Sequence, residues 1–332
     1  MGILVNILLI LAGFVLLIKG ADVLVSGASG VAKRLKMSDI MIGLTIVAFG
    51  TSMPELFVSV TSALQNKADL AIGNVVGSNL FNLLVVIGLT AVIKPIIVGK
   101  QTKRFDLPLS LVYMVAFAVL CNLGGELIGL PKSVVLLVMF AVFVAYSIFM
   151  GKKFPDNPDI PADSLPQNGG AASEGFENPV KQRHIGINIL FIVVGIAALK
   201  FGGDFVVENS VEIATTFGIP ERIIGLTIVA LGTSLPELVT SVVACIKNES
   251  DIAIGNILGS NIFNMFLIIG IGGAINPIKY SPDQYNIGVG IVIGATALLT
   301  IFAALSKKNR INRVHGAVFL LMYAGYMVYT LV

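Results

Sequence analysis

The sequence predicts an all-α membrane protein with ten transmembrane helices, arranged as two inverted five-helix repeats in which helices 2 and 7 are broken. The 332 residues are 56% hydrophobic and only 12% charged, whereas an average soluble domain carries about 25% charged residues. Residues 43–82 also recur as residues 225–264, with 25 of the 40 aligned positions identical. This composition argues against a soluble enzyme, and the net charge of +3 gives no indication of a nucleic-acid partner.

Ten apolar runs are each long enough to cross the ~30 Å hydrocarbon core of a bilayer. The predicted spans are residues 3–27, 39–64, 69–93, 106–123, 132–149, 186–212, 222–246, 251–276, 285–305 and 313–331. Five spans per copy is an odd number, so the second copy must enter the membrane from the opposite side. We therefore expect residues 1–150 and 185–332 to form two inverted repeats, joined by a polar cytoplasmic linker at residues 151–184.

The distribution of basic residues predicts the orientation of these spans. If the N-terminus is outside, sixteen Lys and Arg residues fall in the inner loops and four in the outer loops. Loops on the cytoplasmic side of membrane proteins carry the excess of basic residues. We expect a multi-pass protein of the cell membrane that functions as a monomer, with both termini extracellular and membrane lipid around its apolar helices.

The second and seventh spans carry the motifs GTSMPE, at residues 50–55, and GTSLPE, at residues 232–237. Both motifs lie near the middle of their apolar runs. Because Pro54 and Pro236 have no amide hydrogen and crowd the preceding turn, each helix should kink or unwind there. An unwound turn inside a membrane persists only where a bound ion, water or protein satisfies its backbone groups.

Glu55 and Glu237 are the only carboxylates predicted near the middle of the membrane, where an unpaired charge is costly. No basic residue is predicted opposite them. Residues four apart share one face of a helix, and here the face of each glutamate also carries hydroxyl groups, from Thr51 and Ser59 in one copy and Thr233 and Ser241 in the other, with Ser52 and Ser234 beside it. Carboxylate, hydroxyl and carbonyl oxygens are the ligands of hard cations.

The third and eighth spans also carry a repeated polar motif, GNVVGSNLFN in the third and GNILGSNIFN in the eighth. Each motif forms a polar stripe on an apolar helix, made of Asn74, Ser78 and Asn82 in the first copy and Asn256, Ser260 and Asn264 in the second. The glycine pairs of these motifs allow another backbone to approach closely. Interhelical hydrogen bonding without any ion is the alternative explanation of the stripes.

Six further charges lie in or near the first and sixth spans: Lys19, Asp22, Lys200, Asp204, Glu208 and Glu212. Each lysine precedes an aspartate by three or four residues. We expect local lysine–aspartate pairing on each helix. A role of these charges in gating or ion entry is the alternative.

At these motifs the chain resembles the calcium/cation antiporter superfamily, whose two inverted repeats carry GTSxPE and GSNxxN-type sequences, and within it the prokaryotic sodium/calcium exchangers. The resemblance covers both repeats and the ten-span layout. It implies a secondary active antiporter that exchanges sodium for calcium by alternating access, through a diamond of four cation sites. It implies no cofactor, since calcium and sodium are the transported ions.

The resemblance also implies a ligand set. Glu55 and Glu237 would bind calcium and sodium in competition, and Thr51 and Thr233 would support the calcium site with their backbone carbonyls. The two outlying sodium sites would consist of the Ala48 carbonyl with Ser52 and Ser260, and of the Ala230 carbonyl with Ser234 and Ser78. Asn82 and Asn264 would line the middle site, although some relatives have Asp at the position of Asn264.

Other functions stay open at this point. Proton-coupled relatives usually carry acidic residues in the GN-type motif, and potassium-dependent relatives tend to have Asp in place of Asn264, so both alternatives are disfavoured here. An intramembrane enzyme could use the two glutamates as acid and base, but no midplane His, Cys or nucleotide-binding motif supports an enzyme. Buried carboxylates on kinked helices suit occlusion by a carrier better than free conduction by a channel.

Overall fold

The computed structural model describes residues 2–65, 68–153, 184–218 and 230–331, and these residues are almost entirely helical. The predicted linker lies outside the described residues, apart from its first three residues and His184. The first part of the predicted seventh span, up to residue 229, also lies outside them.

The described helices follow the order of the predicted spans. They are α1 (Ile3–Leu35), α2 (Asp39–Thr51), α3 (Met53–Leu64), α4 (Ala68–Phe81, continued through Asn82–Val86 and Ile87–Ile93), α5 (Thr102–Asn122), α6 (Leu130–Lys153), α7 (Ile185–Thr216), α8 (Ala230–Gly232), α9 (Leu235–Ile246), α10 (Ser250–Ile275), α11 (Pro282–Leu305) and α12 (Arg313–Leu331). Within the described ranges, seven of these helices are long and apolar enough to cross a membrane, and the α2–α3 pair makes an eighth span.

Helix α1 continues eight residues beyond the end predicted for the first span, to Leu35 rather than residue 27. Residues 28–35 contain no proline, and the helix ends only where Lys36 adopts a left-handed backbone conformation with φ of 53°. Helix α7 likewise continues four residues beyond the end predicted for the sixth span, to Thr216 rather than residue 212.

Both predicted helix breaks are present. The axes of α2 and α3 differ by 51° at Ser52, whose φ of −84° and ψ of 9° are not helical. In the second copy α8 ends at Gly232 and α9 begins at Leu235, with Ser234 in nearly the same conformation as Ser52. The prediction that the second and seventh helices are broken is therefore confirmed.

The most buried helices are α4 and α10, which carry the asparagine-rich motifs. Glycines let α10 approach α2 closely: a Cβ atom built on Gly255 would lie 2.6 Å from the Ile40 carbonyl oxygen, and one on Gly259 would lie 2.5 Å from that of Leu44. Each of these two helices also contains a π-helical turn, at Asn82–Val86 in α4 and at Phe263–Ile268 in α10. Such turns are frequent at functional sites.

The first helix of each copy, α1 and α7, packs against the other through glycines. A Cβ atom on Gly13 would lie 2.8 Å from the Gly202 carbonyl oxygen, and one on Gly20 would lie 3.1 Å from that of Gly195. Because the residue numbers rise along α1 and fall along α7, the two helices are antiparallel. The first helices of the two copies therefore point in opposite directions.

Four short strands join loops that are far apart in the sequence: β1 (Ile96–Ile97), β2 (Leu127–Ile128), β3 (Ile278–Lys279) and β4 (Arg310–Ile311). Strand β1 pairs antiparallel with β4, and β2 pairs antiparallel with β3. Both members of the first pair come from loops predicted to be on the inner side, and both members of the second from loops predicted to be outside.

Candidate cation-binding site

Each glutamate lies in the first turn of the helix that follows a break: Glu55 in α3 and Glu237 in α9. Both side chains are fully buried. A helix N-terminus has unpaired backbone amides and a positive dipole end, which favours a carboxylate there. The break is thus the local device that makes a buried carboxylate tolerable in an apolar helix.

Serines cross between the two copies to hold these carboxylates. The Ser234 hydroxyl donates to Glu55 Oε1 at 3.2 Å, and the Ser52 hydroxyl donates to Glu237 Oε1 at 2.9 Å. Each glutamate is therefore oriented by the break of the other copy, so the two halves of the chain build one site.

The asparagine-rich helices supply a second serine to each glutamate. Ser78 donates to Glu55 Oε1 and Ser260 donates to Glu237 Oε1, both at 3.4 Å. All four predicted serines thus converge on the two predicted glutamates. They all use the Oε1 atom of each carboxylate, which leaves the Oε2 atom for another partner.

Several buried oxygen atoms at this site have no hydrogen-bond donor among the described residues. They are Glu55 Oε2, Glu237 Oε2, Asn82 Oδ1, Asn264 Oδ1 and Thr233 Oγ1. Leaving a buried polar atom unpaired costs about 1–3 kcal/mol, and more for a charged group. Four of these five atoms can only accept, unlike the Thr233 hydroxyl, and two of the four belong to carboxylates, so a cation or a proton is indicated to complete the site.

Two asparagines that the sequence analysis did not assign hold the predicted ones. Asn264 donates its amide to Asn79 Oδ1 at 3.0 Å, and Asn82 donates to Asn261 Oδ1 at 3.2 Å. Asn79 and Asn261 are fully buried and lie three residues before Asn82 and Asn264. The signal that could have found them is their presence in both copies of the GSN motif.

Asn74 and Asn256 make interhelical hydrogen bonds instead. Asn256 donates to the Glu237 carbonyl oxygen at 3.4 Å and to Ser241 at 3.1 Å. Asn74 makes the equivalent bonds to Glu55 and Ser59. These contacts tie each asparagine-rich helix to the broken helix of the same copy, as the packing alternative predicted for this pair.

The remaining predicted positions are less symmetric. The Thr51 hydroxyl donates to Asn256 Oδ1 at 2.9 Å, and the Ala48 carbonyl oxygen accepts the Ser52 amide at 3.0 Å. Thr233 is partly buried, and its hydroxyl is one of the unpaired atoms given above. Ala230 opens α8, and its side chain lies outside the described residues.

The charges near the first and sixth spans give one correction. Lys200 pairs with Asp204 at 2.7 Å on its own helix, as predicted. Asp22 pairs instead with Lys247 at 2.7 Å, between α1 and the turn that joins α9 to α10. The predicted pairing of Asp22 with Lys19 is therefore wrong. The turn after α9 brings Lys247 beside Asp22 instead, and Lys247 also donates a hydrogen bond to the Ser26 hydroxyl.

Within the described ranges, no basic side chain forms an ion pair with Glu55 or Glu237, and no group of three or more His, Cys, Asp or Glu residues is placed to hold a metal ion. The donors of the site are two carboxylates and several neutral oxygens. Such oxygen donors suit hard cations such as calcium and sodium.

The protein family described as sodium/calcium exchanger protein matches residues 5–149 and 187–332. The chain belongs to the sodium/calcium exchanger family. This family consists of transporters, and the exchanger described here is an integral membrane protein with several apolar helices.

Curated relatives match this exchanger over nearly its whole length. The putative antiporter CaxA of Alkalimonas amylolytica is 39% identical over 97% of this chain and 98% of its own. The sodium/calcium exchanger MaX1 of Methanosarcina acetivorans is 33% identical over 98% of each chain. The inner membrane protein YrbG of Escherichia coli is 34% identical over 97% of this chain and 94% of its own.

The fold is also similar to solved structures of the sodium-calcium exchanger NCX_Mj. The structure of NCX_Mj soaked without Na+ and Ca2+ has a TM-score of 0.82 and 26% identity, over 99% of this chain and all of that one. The structure soaked with 10 mM Na+ and 10 mM Sr2+ has a TM-score of 0.81 and 28% identity, over 98% of this chain and 99% of that one.

Proposed function

We propose that this exchanger is a secondary active antiporter that moves sodium and calcium in opposite directions through one shared site. The observation that carries the proposal is the pair of buried carboxylates, each oriented through Oε1 by two serines and each with an unpaired Oε2. Two formal negative charges balance one calcium ion. They fall short of the charge of three sodium ions.

Competition for the two glutamates is the proposed basis of coupling. A site occupied by calcium has no carboxylate left for sodium, and the reverse also holds. If the loaded site alone can pass between the two sides of the membrane, the two fluxes are obligatorily linked. This is why a shared site gives antiport rather than two independent leaks.

We assign the ligands as the resemblance implied. Glu55 and Glu237 bind both ions, with backbone carbonyls of Thr51 and Thr233 at the calcium position and Asn82 and Asn264 beside it. One outlying sodium position takes the Ala48 carbonyl, Ser52 and Ser260, and the other takes the Ala230 carbonyl, Ser234 and Ser78. The sodium position formed by the Ala48 carbonyl, Ser52 and Ser260 is supported by the hydrogen bonds that both serines donate to Glu237 Oε1.

The proposed architecture is ten spans in two inverted repeats, with both termini extracellular and a monomer as the working unit. The antiparallel packing of α1 and α7 supports the inversion. The loop pairs β1–β4 and β2–β3 support the division of the loops into two sides, because each pair joins loops assigned to one side. The excess of basic residues makes the β1–β4 side the cytoplasmic one.

Calcium/proton exchange is the second candidate function. The observation in its favour is the same pair of unpaired Oε2 atoms, since a buried carboxyl oxygen without a donor is also where a proton binds. The neutral asparagines of α4 and α10 favour sodium, because they add no further titratable group beside the glutamates.

The test is labelled-calcium uptake by proteoliposomes that are loaded with sodium and diluted into sodium-free buffer. We expect uptake to require internal sodium, and separate proton and potassium gradients to leave it unchanged. Glu55→Gln and Glu237→Gln should abolish it, while the matched control Glu126→Gln should retain it, because Glu126 makes only an exposed ion pair with Lys279. Uptake that follows the proton gradient and ignores sodium would refute sodium coupling.

A further inference from the structure

Two fully buried asparagines, Asn79 and Asn261, contact the predicted site residues without belonging to the proposed ligand set. Asn79 lies on α4 and Asn261 on α10, so each comes from a different copy of the repeat. Each accepts the side-chain amide of the site asparagine on the opposite helix, at 3.0 Å from Asn264 and 3.2 Å from Asn82. We call these four residues the asparagine brace.

The brace fixes which end of each site amide faces the site. An asparagine side chain has a donor end and an acceptor end of nearly equal size, so packing alone cannot distinguish the two orientations. Here both NH2 groups of Asn82 and Asn264 are used within the brace, and both Oδ1 atoms are buried without a donor among the described residues. A cation is stabilised by the oxygen end and repelled by the NH2 end.

One of the two acceptors in the brace, Asn79, is itself held in a fixed orientation. Asn79 donates its own amide to the Asn261 backbone carbonyl oxygen at 3.0 Å. This bond leaves Asn79 Oδ1 as the end that meets Asn264. A backbone carbonyl is an acceptor only, so it cannot accommodate the reversed orientation of Asn79. The orientation is thus transmitted from the α10 backbone to Asn79 and from Asn79 to Asn264.

We propose that Asn79 and Asn261 are positioning residues, which turn the oxygen ends of Asn264 and Asn82 toward the transported cation. This inference rests on the proposed function, because it needs a cation at the site. It also explains why an aspartate at position 264 would change more than charge. Aspartate has no NH2 group for Asn79 Oδ1, so the brace would lose one of its two crossing bonds.

A double-mutant cycle tests the brace. Labelled calcium is bound at equilibrium to the purified full chain in detergent, for wild type, Asn79→Leu, Asn264→Ala and the double variant. We expect Asn79→Leu to raise the calcium Kd about tenfold in the wild-type background and less than twofold when Asn264 is already alanine. A second cycle, with Asn261→Leu and Asn82→Ala, tests the other bond of the brace and should give the same pattern of Kd changes. It replaces the first cycle if Asn79→Leu does not fold.

A purely structural role predicts a different pattern. Thermal stability and the number of binding sites would then fall, the Kd of the remaining folded protein would stay the same, and the effect would not depend on residue 264. That pattern, or equal Kd changes in both backgrounds, would overturn the brace.

The proposed function fails separately from the brace. If the wild-type protein binds calcium but does not exchange it for sodium, sodium coupling is refuted, and the brace is still tested by the double-mutant cycle. Wild-type protein that binds no calcium overturns both.

Discussion

Substituting Gly259 by alanine should impair cation binding through a steric conflict between two helices, without replacing any of the proposed ligand residues. Gly259 lies on α10 directly before Ser260, where α10 crosses α2. A Cβ atom there would lie 2.5 Å from the Leu44 carbonyl oxygen and 2.7 Å from the Ala48 Cβ atom. The nearest obstacle is backbone, which cannot rotate away, so the two helices themselves must separate.

The size of the effect follows from these distances. Ordinary van der Waals contact begins near 3.4 Å, so the helices must separate locally by about 0.9 Å. The Thr51 hydroxyl on α2 donates to Asn256 Oδ1 on α10 at 2.9 Å, and this extra separation would break the hydrogen bond and displace Thr51, whose backbone carbonyl is assigned to the calcium position. A hydrogen bond between neutral groups contributes about 0.5–1.5 kcal/mol, and every 1.4 kcal/mol is roughly tenfold in affinity. We expect calcium affinity to fall by about two- to tenfold.

The matched control is Gly290→Ala. Gly290 lies within α11, is exposed, and has nothing within 4 Å of a Cβ atom built on it. It therefore tests the higher helix propensity of alanine, about 1 kcal/mol over glycine, without the steric conflict. We expect this variant to bind calcium like wild type and to be equally or more stable.

The assay is equilibrium binding of labelled calcium to purified protein, with thermal unfolding in detergent measured on the same samples. Overpacking should lower the free energy of unfolding by about 1–3 kcal/mol, partly offset by the gain in helix propensity. If Gly259→Ala binds calcium within twofold of Gly290→Ala, the close approach of α2 and α10 does not control the site and our reasoning is refuted.

Substitutions at the two glutamates, at Pro54 and at Lys247 test separate parts of the structure. Glu55→Gln and Glu237→Gln should each weaken calcium binding at least about 100-fold in the same assay, because two unit charges 4 Å apart interact by about 4 kcal/mol at an effective dielectric constant near 20; less than tenfold in either would contradict the shared site. Pro54→Ala supplies the amide that a straight helix needs, so calcium affinity should fall while thermal stability is kept; unchanged affinity would show that the break is dispensable. Lys247→Gln should lower the free energy of unfolding by less than about 1 kcal/mol in denaturation experiments, because the Lys247–Asp22 pair is 31% and 51% exposed and exposed pairs contribute little; a larger loss would mean that this pair anchors α1.

The sequence allowed the helix breaks and the need of the two glutamates for partners to be predicted, because both depend on strong local signals, whereas the grouping of Ser52 with Ser260 and of Ser234 with Ser78 came only from the family resemblance. Pro54 and Pro236 remove a backbone donor wherever they stand in a helix, and a carboxylate in an apolar span must find partners. The boundaries were harder to predict. Helix α1 passes the expected end because residues 28–35 are compatible with helix both inside and outside a membrane, and hydropathy does not mark where a helix leaves it.

The asparagine brace and the Asp22–Lys247 pair were not predicted, since both depend on which helices meet. Asn79 and Asn82 have the same side chain and are both buried. Only the position of α10 makes one of them the orienting residue and the other a site residue. In the same way, Lys19 was the nearest lysine to Asp22 in sequence, whereas the turn after α9 brings Lys247 closer in space.

The reciprocal pairing of serines and glutamates joins the two copies of the repeat into one site. Within one motif, Ser52 and Glu55 are three residues apart, and a local interpretation would pair them. Instead Ser52 donates to Glu237 and Ser234 donates to Glu55, because the break of each copy lies against the glutamate of the other. Neither copy can therefore orient its own carboxylate fully. A substitution at Ser52 should change the orientation of the Glu237 carboxylate before that of Glu55. The functional unit is therefore a serine of one motif with the glutamate of the other, rather than either motif alone.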